Sequence, residues 1–206
     1  MAPLHGIPGP LLRELEAAYA TPPRAYHDFA HVGEVLRHYE AVAAGPGWAQ
    51  PEEVRLAILF HDAIYEAGRS DNEARSADLA LERIAHYWPD AAVDRARVAG
   101  LIVLTARHGT HTPQDFPDDA RGDDTRHFLD CDMAILGAEP AVFDAYDRGI
   151  AAEYRGKVPG WLFAIRRRAF LKSLLGRERI YLSEFFHERL DAAARANLRR
   201  RITGKR

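Results

Sequence analysis

The chain reads as an all-α protein, a single-domain helical bundle, and three observations carry that reading. Apolar residues recur at spacings of three and four along almost the whole sequence, which places them on one face of a helix. Two-residue alternation bounded by turn residues, the mark of a half-buried strand, is hard to find. Proline and glycine gather in short stretches such as "TPPR", "GPG" and "WPD", where they end helices instead of interrupting them. With 206 residues, 47% of them hydrophobic, the chain is long enough for one well-buried core and short of the length at which two domains are the default. One domain over residues 1–206 is the expectation.

Taken in order, residues 10–20 open on Pro10 and carry Leu11, Leu12, Leu15 and Tyr19 on one face. A second helix is predicted from about Asp28 to Ala44, with Phe29, Val32, Val35, Leu36, Tyr39 and Val42 inward. Pro51 suits the first turn of a third, which runs through Phe60 to about Ile64. "GRSDNE" is a loop into a fourth, where Ser70 and Glu73 have the spacing of a capping box. Residues 91–108 form a strongly apolar helix expected to be buried on more than one side. Residues 109–122, "GTHTPQDFPDDARG", hold too many Pro, Gly and Asp to continue it and are long enough for a lid or binding loop. Helices are expected over 123–136, 140–155 and 160–176. A last amphipathic one, 183–201, packs on the domain or serves an interface in a homo-oligomer.

Composition excludes several classes. Lys plus Arg total 28 against 30 Asp plus Glu, so no broad cationic field draws nucleic acid or anionic lipid. The basic tail, Arg199, Arg200, Arg201, Lys205 and Arg206, also suits the C-terminus of a helix. One cysteine, Cys131, rules out an intramolecular disulfide and fits a reducing compartment. The N-terminus lacks a basic start with an apolar signal core, and "LIVLTA" is too short to span a bilayer. A cytoplasmic protein without membrane or nucleic-acid partners is expected.

Three places hold candidate chemistry. His27 and His31 stand four apart, which on a helix puts both imidazoles on one face. "HDFAH" also approaches the zinc-peptidase motif, with Asp28 one methylene shorter than the usual Glu. His61 and Asp62 close an apolar run, Leu56 to Phe60, in which polar groups are costly unless satisfied. A metal ion over a loosening helix end answers that cost, as do ordinary helix-end hydrogen bonds. Asp130 and Asp132 sit among Phe128, Leu129, Met133, Ile135 and Leu136. Two carboxylates at i and i+2 do not share a face, so one at most points at a common centre.

The ordered strings "RAYHDFAHV", "FHDAIY", "SDNEARSA", "LTARHGTH" and "FLDCDMAILGA" resemble the signatures of the HD superfamily of metal-dependent phosphohydrolases, over roughly residues 24–182. The resemblance implies His31, His61, Asp62 and Asp132 as ligands of a divalent ion. Two imidazoles and two carboxylates suit Mn, Mg, Co, Ni, Fe or Zn better than a closed thiolate site would. It implies Glu73 as the acid-base group beside Asp62, with its capping role as the alternative. His27 and Asp130 then lie beside the ligands or on the substrate side. His108, at a helix end next to Gly109, and with less weight His111, are phosphate-side candidates, and Arg24 and Arg69 are the cations nearest the motifs. The activity implied is hydrolysis of a phosphate ester of a nucleotide or other small phosphorylated metabolite. A metal-bearing regulatory module without turnover is the rival.

Overall fold

The computed structural model describes residues 6–204, so Lys205 and Arg206 of the basic tail lie outside the described residues. Nine α-helices account for the regular structure among these residues, with two short 3-10 turns and an isolated bridge from Arg155 to Val158. No helix among them is long and apolar enough to cross a membrane. Helix α1 (Gly9–Ala20) buries Leu11, Leu15 and Tyr19 at spacings of four. Helix α2 (Phe29–Ala43) begins where the Asp28 carboxylate accepts the amides of Ala30 and His31, at 2.9 and 3.3 Å. Helix α3 (Pro51–Phe60) is buried on nearly every side, Val54 and Leu56 to Phe60 being at most 2% exposed. A helix of 10 residues is marginal alone, so α3 depends on its packing against α2, α4, α5 and α6.

Helix α4 (Asn72–Tyr87) starts without the expected capping box. Asp71 occupies the cap position, but its carboxylate is held by Arg69 at 2.7 Å. Asn72 closes the preceding turn instead, accepting the Glu66 amide and donating to the Glu66 carbonyl, both at 3.0 Å. Helix α5 (Arg95–Thr105) is shorter than the predicted 91–108 because Asp94 caps it through the Arg97 amide. It is also buried on one face only, Val98, Leu101, Ile102 and Thr105, while Val103 is 48% exposed. The 109–122 segment is strapped down and is no free lid. Arg126 donates to the carbonyls of Pro113, Phe116 and Pro117, and Arg177 to those of Gly109 and His111.

Helix α6 (Ala120–Met133) is capped by Asp119 and runs into a 3-10 turn at Ala134–Gly137. Helices α7 (Pro140–Glu153), α8 (Gly160–Leu175) and α9 (Glu184–Thr203) follow, the last capped by Ser183. Helix α9 lies on its own chain, burying Phe186, Ala194 and Leu198 against α8 and the 134–137 turn. One continuous apolar core reaches from Leu11 to Leu198.

Candidate metal centre and its cavity

His61 and Asp62 fall in the turn that ends α3, and both are buried. Their backbone is held from α1 and the segment after it. The Tyr19 hydroxyl donates to the Leu59 carbonyl at 3.1 Å and accepts the Asp62 amide at 3.3 Å. The Arg24 guanidinium donates to the carbonyls of Asp62 (2.6 Å), Ala63 (3.0 Å), Ala18 (2.9 Å) and His27 (2.9 Å). From α4, Ser76 accepts the Ile64 amide and donates to its carbonyl. Every one of these groups would be costly to bury unpaired.

Against this turn α2 brings His31 and α6 brings Asp132. His31 Nε2 lies 3.2 Å from His61 Nε2, 3.2 Å from Asp132 Oδ1 and 3.7 Å from Asp62 Oδ2. His61 Nε2 lies 3.2 Å from Asp62 Oδ2 and 3.7 Å from Asp132 Oδ1. Two ligand atoms about 2.1 Å from one ion and roughly 90–109° apart stand about 3.0–3.4 Å from each other, so these spacings fit a shared first-row ion. Three of them, His31, His61 and Asp62, form a buried cluster able to hold a metal ion. The outer contacts are arranged for it. A carbonyl only accepts, so His61 Nδ1 donates to Ile58 at 2.8 Å and Nε2 is the ring nitrogen left to face the cluster. His108 Nδ1 takes Asp132 Oδ2 at 2.6 Å and leaves Oδ1 inward.

Electrostatics point the same way. Burial alone would lower the His61 pKa, but the carboxylates of Asp62 and Asp132 outweigh it and raise it to about 9. Burial would raise the two carboxylates, yet His61 beside Asp62 and His108 beside Asp132 hold both below the usual range. The cluster is an anionic nest that requires cations, either protons or a metal.

Asp62 and Asp132 border a cavity of about 200 Å³, and His27, Glu73 and His108 stand on its walls. The Glu73 carboxylate makes no hydrogen bond or ion pair among the described residues. His27 lies before the cap of α2, so the shared helical face with His31 is not formed. Its Nδ1 meets Glu153 Oε2 at 2.7 Å, and Glu153 Oε1 accepts the amides of Ala25, Tyr26 and His27 at 2.8–3.0 Å. Asp28, spent on capping, is no free base for a peptidase.

Other expected residues are placed elsewhere. Arg24 is consumed by carbonyls behind the turn, and Arg69 pairs outward with the exposed Asp71. Asp130 turns away, accepting the amides of Leu182 and Ser183 and the Ser183 hydroxyl. His111 donates to the Leu104 carbonyl and packs on Phe116. In their place the cavity has an aromatic wall of Tyr26, Tyr65, Tyr146, Tyr154 and Phe170, with one permanently charged cation among its lining residues, Arg167. Arg167 and Glu153 escape a motif-centred reading. The signal available was a charge on the apolar stripe of each helix: Phe163, Arg167, Phe170 and Leu174 in α8, and Phe143, Tyr146, Ile150 and Glu153 in α7. Comparison with family models, with curated proteins and with solved structures finds no match to the chain.

Proposed function

We propose that this chain is a metal-dependent phosphohydrolase of the HD type acting on a small phosphorylated metabolite. One observation carries the reading: His31, His61, Asp62 and Asp132, delivered by α2, the end of α3 and α6, converge as a mixed nitrogen and oxygen set beside a cavity. These four side chains would hold a divalent ion, which would supply Lewis acidity toward a phosphoryl oxygen and make a nearby water more acidic. Glu73, with its carboxylate uncommitted on the cavity wall, orients the attacking water. His27 is fixed at Nδ1 by Glu153, which leaves Nε2 to serve the leaving oxygen. His108 keeps Asp132 in place from the far side of its carboxylate. The volume is below the roughly 300–1,000 Å³ of pockets for drug-sized ligands, which favours a small phosphorylated substrate over a whole nucleotide.

The test is phosphate release from a panel of phosphorylated metabolites by protein stripped with chelator and reloaded with Mn²⁺, Mg²⁺, Co²⁺ or Ni²⁺. Metal-dependent turnover that Asp62→Ala abolishes is expected. Metal binding without turnover of any ester would leave a regulatory module in its place.

A further inference from the structure

Arg167 is the charged side chain that the cluster does not explain. It sits on the apolar stripe of α8 and its side chain is only 10% exposed. Its Nε donates to Asp147 Oδ1 at 3.0 Å, and its guanidinium carbon lies 5.0 Å from the ring centre of Tyr146 and 5.5 Å from that of Phe170. Its Nη2 is buried without a hydrogen-bond partner among the described residues. Asp147 does not neutralise it fully, because the other carboxylate oxygen is taken by Arg201. Two guanidiniums thus share one carboxylate, and the one on the cavity wall keeps both positive charge and an unfilled donor. A buried donor of this kind is usually completed by a water or an ion, and here it belongs to a residue on the cavity wall.

We propose that Arg167 is the anion anchor of the cavity, holding the phosphate of the substrate through Nη2, the donor that the protein leaves unpaired. The identity of the anion rests on the phosphohydrolase reading. A planar guanidinium gripped at Nε and packed beside two aromatic rings is preorganised for a phosphate oxygen in a way that a flexible ammonium is not. Two ligand carboxylates offset the charge of a divalent ion, which leaves little net positive charge on that side for a phosphate, and α8 adds a guanidinium on another part of the cavity lining.

The experiment is calorimetric titration of inorganic phosphate into manganese-loaded wild type, Arg167→Gln, Arg167→Lys and Asp147→Asn, with metal content and circular dichroism measured on each. In parallel, broadening of the phosphorus resonance by bound Mn²⁺ locates the phosphate in the cavity and separates it from the groove beside Arg168 and Arg201, which Arg167 also borders. Arg167→Gln should weaken phosphate binding about tenfold or more at unchanged metal content. Arg167→Lys should recover part of it. Asp147→Asn breaks the same internal pair but spares the guanidinium, and should keep phosphate binding. Equal affinity in wild type and Arg167→Gln, equal losses in Arg167→Gln and Asp147→Asn, or phosphate bound beyond reach of manganese broadening would each overturn the assignment. Wild type that takes up manganese and binds no phosphate would overturn it as well. Arg167-dependent phosphate binding by a protein that never takes up metal would instead overturn the phosphohydrolase reading and leave the anchor standing.

Discussion

Tyr19 is a buried phenol whose hydroxyl is shared between two backbone groups of the His61-Asp62 turn, the Leu59 carbonyl and the Asp62 amide. Tyr19→Phe keeps the packing and strands both, at a cost of about 1–3 kcal/mol. Because one of them belongs to Asp62, a member of the cluster able to hold a metal, metal affinity should fall together with the melting temperature. Loss of stability with unchanged metal affinity would show that the turn is held by other means. Arg24 makes the stronger case, since four carbonyls converge on it. Arg24→Ala should cost at least about 3 kcal/mol, because bonds from a charged donor are the strong ones. Its effect on turnover should follow folding and leave KM in the folded fraction unchanged. A raised KM in a stably folded variant would restore it to the substrate. The contrast explains what was legible at this scale. His61, Asp62, His31 and Asp132 carry their chemistry in their side chains and announce themselves. Two of the acceptors of Arg24 are carbonyls of Asp62 and Ala63, far along the chain, and a carbonyl has no signature in a sequence.

Helix boundaries were legible wherever a local residue sets them: Pro10, Pro51, Asp28 and Ser183 each stand at a start. They depart from the sequence reading where a neighbouring side chain captures the cap. Asp71 is drawn off by Arg69, and the expected Ser70-Glu73 box yields to the Asn72 closure of the turn at Glu66. The start of α2 matters most, since capping by Asp28 puts His27 outside the helix, where the end of α7 can seize it. Glu153 receives three successive amides and the His27 ring. Burial alone would raise its pKa, but the bonds from His27 dominate and depress it to about 2, from an ordinary value of 4.5. A depressed carboxylate contributes stability that is present above 4.5 and is lost as pH falls through about 2. Glu153→Gln should therefore be less stable than wild type by about 1–3 kcal/mol at neutral pH in urea melts. That gap should narrow below pH 4.5 and close near pH 2. A gap that persists unchanged to pH 2 would show that charge on Glu153 does not hold the 25–27 segment.

At the scale of the whole molecule, the cluster joins elements far apart in sequence: α2, the turn after α3, and α6. A metal that binds this set binds only the folded chain, so it stabilises by mass action, by about 2.7 kcal/mol at a hundred times its Kd. Protons compete for the same places. In the metal-free protein His61 titrates at about 9, above its ordinary 6.5, because Asp62 and Asp132 outweigh the effect of burial. A raised pKa contributes stability that is complete below 6.5 and is lost as pH rises through about 9. Chelator-treated protein should then melt at progressively lower temperature across that interval. Metal-loaded protein needs the imidazoles neutral and loses nothing by their deprotonation, so the difference in melting temperature with and without chelator should widen from pH 6.5 to 9. Asp62→Ala removes an anionic ligand together with much of the field that raises His61, and should show a small, nearly pH-independent difference. Thermal melts of both proteins at several pH values, paired with metal analysis, decide it. A difference in wild type that is constant with pH would mean that metal and protons do not share this cluster, and that the two imidazoles and two carboxylates are a hydrogen-bonded core.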